Sequence, residues 1–120
     1  MDLSFSFIVP VYNRPNEVLE LLESLSKQTY TKPFEIVLIE DGSTVSSENI
    51  VESFASKLNI SYYKKFNSGP GDSRNYGMRR AKGNYFIVLD SDCIIPPQYL
   101  EVAEKSLQEN FVHCYGGPDA

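Results

Sequence analysis

The sequence predicts an α/β fold, a mostly parallel sheet with helices on both faces, and three observations carry that expectation. Apolar runs rich in β-branched and aromatic residues recur at positions 5–9, 34–39, 60–63 and 85–89. Their starts lie about 25 to 30 residues apart, the length of a strand–helix–strand unit. The gaps between them hold apolar residues at helical spacing, so strands and helices alternate.

Each element has its own signal. The first strand, Phe5-Ser6-Phe7-Ile8-Val9, is followed by Pro15, which suits a first helical turn. Val18, Leu19, Leu22 and Leu25 then form one apolar helix face. The second strand, Phe34-Glu35-Ile36-Val37-Leu38-Ile39, and the fourth, Tyr85-Phe86-Ile87-Val88-Leu89, are nearly continuous apolar runs, as strands covered on both faces read. Between the second and third strands, Ile50, Val51, Phe54, Ala55 and Leu58 mark a helix with Ser46 or Ser47 as its N-cap. A short helix is expected over about residues 72–81, weakened by Gly77. A last helix opens at Pro96-Pro97 and shows Leu100, Ala103 and Leu107, and residues 111–115 begin a fifth strand. Crossovers should be right-handed, and ligands in such sheets sit at the carboxyl ends of the strands.

Composition narrows the function classes. The 120 residues allow one domain, and 42% hydrophobic against 22% charged residues is a globular composition. Eight tyrosines and seven phenylalanines supply a core. A net charge of −5 argues against general nucleic-acid binding, which wants a basic surface. No stretch approaches the roughly 18 to 20 apolar residues of a membrane span. The acidic Asp2 and the lack of a basic n-region argue against a secretory signal. Cys93 and Cys114, without C-x-x-C spacing, argue against a disulfide scaffold or zinc site and fit a cytoplasmic location.

The segments after the strands hold the chemistry. They are Pro10-Val11-Tyr12-Asn13-Arg14, Glu40-Asp41-Gly42-Ser43-Thr44, residues 67–75, and Asp90-Ser91-Asp92-Cys93. Asp90 and Asp92 at the end of a buried strand repel each other, and a hard cation, Mn²⁺ or Mg²⁺, would relieve that cost while also taking substrate phosphates. The same residues also suit a turn ahead of the last helix. Asp41-Gly42-Ser43 is a strand-ending turn in any fold, and Asp41 could also accept a hydrogen bond from a nucleobase N–H. Lys64, Lys65, Arg74, Arg79, Arg80 and Lys82 are six of the eleven basic residues, and such a cluster beside acids is what a diphosphate needs. Arg74, near the helix start, is the strongest candidate in it; Arg79, Arg80 and Lys82 read as a solvated face. Gly69-Pro70-Gly71 fails the dinucleotide fingerprint because Arg74 takes the place of the third glycine. The single histidine, His113, reads as a strand residue, and Cys93 as a packing residue.

These motifs together resemble glycosyltransferase family 2. Ile8 to Arg14 is similar to its opening strand, Leu38 to Thr44 to its acidic pair and turn, Gly71 to Gly77 with Ala81-Lys82-Gly83 to its glycine–arginine–asparagine helix, and Leu89-Asp90-Ser91-Asp92 to its D-x-D motif. Glu40 stands where aspartate is usual and Ser73 where alanine is common. The resemblance implies a GT-A, Rossmann-like fold and transfer of a sugar from a nucleotide-diphosphate donor, a UDP-sugar as the commonest case, with inversion. It implies that Asp41 and the flanking Gly42 and Ser43 meet the nucleoside, that Pro10, Val11, Tyr12, Asn13 and Arg14 supply further contacts to it, and that Arg74 meets the nucleotide or its phosphates. Asp92 would hold the metal, with Asp90 and Ser91 at the ribose or metal shell. The acceptor would be a hydroxyl of a sugar, lipid or protein, as in polysaccharide biosynthesis. The family's catalytic base lies in an acceptor half beyond the D-x-D motif. No base is recognisable from Cys93 to Ala120, so residues 1–120 are expected to be the nucleotide-sugar-binding portion. Peripheral membrane association of an intact protein and a homodimer are further expectations.

Two other readings compete. Residues 85–92 superficially match the strand and nucleophile of a haloacid-dehalogenase phosphatase, with Asp90 as nucleophile, although that motif normally opens a chain. A non-catalytic nucleotide-binding or interaction fragment, pairing through an exposed sheet edge, is the third.

Overall fold

The computed structural model describes residues 4–109. The elements run β1 (Phe5–Val11), α1 (Pro15–Ser26), β2 (Phe34–Asp41), α2 (Glu48–Ser53), β3 (Ile60–Lys65), α3 (Pro70–Arg80), β4 (Tyr85–Val88) and α4 (Tyr99–Glu109). The strands form one sheet in the order β3-β2-β1-β4, and every neighbouring pair is parallel. Phe5 lies opposite both Phe34 and Tyr85, and Ile36 opposite Ile60. The predicted fifth strand, His113 and Cys114 lie outside the described residues.

Strand pleating divides the apolar side chains between two layers. Phe5, Phe7, Val9 and Val11 of β1, with Ile36 and Leu38 of β2, pack with Val18, Leu21, Leu22 and Leu25 of α1, with Val51 and Phe54, and with Leu100 and Ala103 of α4. Ile8, Val37 and Ile39 face the other way and are covered by Tyr76 and Met78 of α3, flanked by Tyr63 and Val88. Both faces of β1 and β2 are therefore buried, as expected for β2 from its apolar run. β4 departs from the same expectation: it ends the described sheet, and Phe86 is 39% exposed, so its apolar run is not covered on both faces. Each such side chain contributes about 1.5–3 kcal/mol on burial.

The elements depart from expectation in a few places. Leu21, and not Leu19, completes the buried face of α1; Leu19 is turned toward solvent because the buried row runs at i, i+3, i+4 and i+7 from Val18. The helix expected through Leu58 stops at Ser53, and Phe54 N–H and Ala55 N–H donate to Val51 and Glu52 carbonyls in tighter turns. Ser47 precedes α2 without a side-chain cap; the Ser46 hydroxyl accepts from Glu48 N–H instead, at 3.0 Å. α4 starts at Tyr99, after the Pro96-Pro97 pair: Tyr99 N–H closes a turn on the Pro96 carbonyl at 3.0 Å, and the Pro97 carbonyl accepts from Thr29 N–H at 2.9 Å. α3 starts earlier than expected, with Pro70 in its first turn.

Gly77 has a purpose that propensity hides. A Cβ there would lie 2.6 Å from Ile39 Cδ1 and 2.9 Å from Ile8 Cγ2. The bare backbone lets α3 sit directly on β1 and β2, and that closeness fixes where the start of α3 meets the ends of those strands.

Candidate functional site

Because all four strands are parallel, their carboxyl ends share one edge. β1, β2 and β3 step outward in order, and α3 then carries the chain back across the sheet to β4 on the other side of β1. The strand order therefore reverses between β1 and β4, and the crevice outside their carboxyl ends is where such sheets bind ligands. An open cleft of about 390 Å³ lies there, lined by Pro10, Tyr12, Arg14, Asp90, Ser91 and Asp92. The topology thus brings together two segments that are distant in sequence.

The two aspartates reach the cleft through a turn. β4 ends at Val88, Leu89 N–H still donates to the Ile8 carbonyl at 2.9 Å, and Cys93 N–H closes the turn on the Asp90 carbonyl at 3.2 Å. Leu89, Ser91 and Cys93 point inward and are buried, while Asp90 and Asp92 are exposed. Alternation about the turn presents the two carboxylates to the cleft. Opposite them, Tyr12 is 51% exposed and Arg14 is exposed, its guanidinium only loosely paired with Glu17 at 3.9 Å.

The ends of β1 and β2 are stapled to each other. Asn13 is left-handed, with φ of 54°. Its side-chain carbonyl accepts from Thr44 N–H at 2.8 Å and Val45 N–H at 3.0 Å, and its own N–H donates to the Ser43 hydroxyl at 2.8 Å. Ser43 donates on to Glu40. Glu40 is buried and also accepts from Ser47 N–H at 2.9 Å and the Tyr62 hydroxyl at 2.8 Å. Burial pushes the Tyr62 hydroxyl up to about 12, a rise the Ser46 hydrogen bond opposes and the Glu40 carboxylate reinforces. Glu40 thus anchors the turn after β2.

Asp41 faces the loop between β3 and α3. It is 4% exposed. Oδ1 accepts from Lys65 Nζ at 2.7 Å and Ser68 N–H at 2.9 Å, and Oδ2 accepts from Gly69 N–H at 3.0 Å. Burial alone would push this carboxyl up, but the donations from Lys65, Ser68 and Gly69 outweigh it and hold the carboxyl below its ordinary value. Gly42 is left-handed, with φ of 71°, and a Cβ there would meet Asn67 N at 2.6 Å, so the loop packs against bare backbone. A second recess of about 160 Å³, lined by Glu40, Gly42, Ser43, Ser46, Lys64 and Lys65, lies on this side of the edge.

Not every expected site residue converges. Val11 is 1% exposed and its side chain belongs to the core, so only its backbone faces the edge. Arg74 is half-buried on α3 and lines neither recess. The six basic residues do not act as one cluster. Lys65 is committed to Asp41, Lys64 pairs with Glu48 at 2.6 Å, and Arg80 stacks on Tyr76 with its guanidinium carbon 3.5 Å from the ring centroid. Lys65 and residues 67–69, singled out from the sequence as part of a basic cluster and of a segment after a strand, are instead joined to Asp41, a pairing that residue types alone did not give. The signal was the register: Glu40 and Asp41 at the end of β2 lie opposite Lys64 and Lys65 at the end of β3.

The Glycosyl transferase family 2 model matches residues 6–119. The chain belongs to glycosyltransferase family 2. A glycosyltransferase of Rickettsia bellii is 37% identical over 109 residues, which are 91% of this chain and 16% of that protein. The poly(ribitol-phosphate) beta-N-acetylglucosaminyltransferase TarS of Staphylococcus aureus is 38% identical over 111 residues, 90% of this chain and 19% of TarS. The chain therefore spans less than a fifth of either relative. The crystal structure of TarS residues 1–349 in complex with UDP-GlcNAc matches with a TM-score of 0.84 at 39% identity, over 89% of this chain and 32% of that one. A mannosyltransferase of Pyrobaculum calidifontis, solved with GDP-Man and Mn²⁺, matches with a TM-score of 0.71 at 24% identity over 80% of this chain and 29% of that one, a likeness of fold. The family 2 fold agrees with the GT-A expectation, and the phosphatase reading of Asp90 finds no support beside it.

Proposed function

We propose that this chain is the donor-binding portion of a glycosyltransferase that moves a sugar from a nucleotide-diphosphate donor to an acceptor hydroxyl, with inversion and with the help of a divalent cation. The observation that carries the reading is the cleft at the point where the strand order reverses, with Asp90 and Asp92 on one wall and the Pro10 to Arg14 segment on the other. The similarity to TarS, solved with UDP-GlcNAc, supports a UDP-sugar as donor.

The proposed roles rest on the family and on where these residues lie along the strand ends. Asp41 accepts from the nucleobase, beside the glycine turn at Gly42. Pro10, Tyr12 and Asn13 form the nucleoside wall, and Arg14, exposed beside the two aspartates, faces the diphosphate charge. Two exposed carboxylates fit Mn²⁺ or Mg²⁺, which uses one or two carboxylates and takes its other oxygens from phosphates and water. Among the described residues no three His, Cys, Asp or Glu side chains form a closed cage, so Asp92 and Asp90 would hold the ion together with the donor. Such an ion supplies charge stabilisation to a departing diphosphate. The acceptor, a sugar, lipid or protein hydroxyl, and the base that deprotonates it belong to residues outside this portion, and the reaction would run in the cytoplasm, where nucleotide sugars are held.

Calorimetric titration of UDP, GDP and dTDP, with and without Mn²⁺, on wild type and Asp92→Ala tests this. Metal-dependent binding of one nucleotide, lost in the variant, is the expected result. A folded chain that binds none of the three overturns the reading.

A further inference from the structure

We propose that Lys65 is a positioning residue that locks the Asp41 carboxylate and the 66–69 loop into one rigid rim for the donor's nucleobase. The inference rests on the reading of Asp41 as the nucleobase acceptor and adds the device that keeps it in place.

An ammonium has three N–H donors, and all three are used. Lys65 donates to Asp41 Oδ1 at 2.7 Å, to the Phe66 carbonyl at 2.8 Å and to the Ser68 hydroxyl. The Ser68 hydroxyl in turn donates a hydrogen bond to Asp72 Oδ2 at 2.6 Å. The Lys65 side chain is only 10% exposed, so it is not a mobile surface cation free to follow a phosphate. The loop's aromatic residue, Phe66, is 94% exposed and adds no packing there. Most of the loop's other contacts run to Asp41: Asn67 donates to the Asp41 carbonyl at 3.1 Å, and the Ser68 and Gly69 N–H groups to the carboxylate, while the Gly69 carbonyl accepts from Ser73 N–H at 3.1 Å in the first turn of α3.

The acceptor count gives this lock a direction. A carboxylate oxygen offers about two lone-pair positions. Among the described residues, Oδ1 accepts from Lys65 and Ser68 N–H, and Oδ2 accepts from Gly69 N–H. By that count Oδ2 has one position for the proposed ligand N–H, although Asp41 itself is 4% exposed and lines neither recess. Lys65 thus decides which oxygen the nucleobase meets. A proton would also go to Oδ2, where it blocks the base, and Lys65 opposes that proton. The charged groups around the carboxylate are Lys65 from β3 and Asp72 from α3, the latter 3.9 Å from Lys65 Nζ. Arg74 of α3 reaches back toward the helix start, its Nη2 3.8 Å from where a Cβ on Gly71 would lie, and is a second cation on this side; Glu40 is turned to Ser43, Ser47 and Tyr62, and β1 contributes uncharged Pro10 and Val11.

The test is titration of UDP, GDP and dTDP with Mn²⁺ from pH 7.5 downward on wild type, Lys65→Met and Lys65→Arg. Methionine keeps the buried stem and removes the charge. The expected result is binding weakened by about 10- to 100-fold in Lys65→Met, the scale of a lost charge-assisted hydrogen bond. The acid limb of its binding curve moves to higher pH, and Lys65→Arg restores both. Should Lys65→Met fail to fold, Lys65→Gln, a donor without charge, must show the same upward shift of the acid limb. If wild type binds and the uncharged variant binds equally, or binds more weakly with an unmoved acid limb and no rescue by arginine, the proposal is overturned while the donor site stands. If wild type binds none of the nucleotides, the donor-site reading falls and takes this one with it.

Discussion

Replacing Gly77 by alanine sets two effects of known size against each other. Alanine in a helix interior is favoured over glycine by about 0.8–1.0 kcal/mol. Against that, the new methyl would sit 2.6 Å from Ile39 Cδ1 and 2.9 Å from Ile8 Cγ2, well inside van der Waals contact. Ile39 Cδ1 ends a side chain and could rotate, but both isoleucines are fully buried and Ile8 is branched at Cβ, so neither has room. Overpacking of this kind costs about 1–3 kcal/mol, so with a mid-range cost of about 2 kcal/mol Gly77→Ala should lose about 1 kcal/mol net. That is a fall in melting temperature of about 3–6 °C for each kcal/mol in a domain of this size. Urea unfolding followed by far-ultraviolet circular dichroism reads it directly. Ile39→Val removes Cδ1 and should recover part of the loss in the double variant, a coupling that a propensity effect cannot produce. Nucleotide binding should weaken too, because α3 carries the loop that grips Asp41. A Gly77→Ala chain as stable as wild type, or more so, would refute the close-approach argument and return this glycine to being a mere helix weakness.

Two further outcomes follow from the rim of the sheet. Asn13→Ala loses the acceptor for Thr44 and Val45 N–H and strains a left-handed backbone, so it should cost about 2 kcal/mol in unfolding free energy, with Asn13→Gly intermediate and Asn13→Asp nearest wild type. The Asp41 carboxyl is held below its ordinary value of 3.8, so its ion pair stabilises the fold fully above that pH and is lost as pH falls through the lower folded value. The stability gap between wild type and Asp41→Asn should therefore be constant near neutrality and close below about pH 4 in acid-unfolding curves; a gap that persists unchanged into stronger acid would show that the carboxylate charge contributes nothing.

Local chemistry was enough to specify the elements and their order. Fully buried strands such as Phe34–Asp41 must be apolar on both faces, and helices such as Pro15–Ser26 must carry one apolar stripe, so periodicity and turn residues exposed them before any contact was known. The Asp90-Ser91-Asp92 and Pro10 to Arg14 segments were legible as polar turns after buried strands, which any fold of this kind has; that the two line one cleft was not. What periodicity left open was set by pairs far apart in the chain. The order β3-β2-β1-β4 put residues 10–14 beside residues 90–92, and the β2–β3 register put Lys65 against Asp41, turning a supposed phosphate ligand into the partner of an acid. Gly77, a defect when the helix is considered alone, became the contact that lets α3 lie on Ile8 and Ile39. The sequence by itself determined what each segment is, because secondary structure answers to neighbours a few residues away; only the tertiary structure decided which charges meet, because those distances depend on how the sheet is ordered and how closely a helix approaches it.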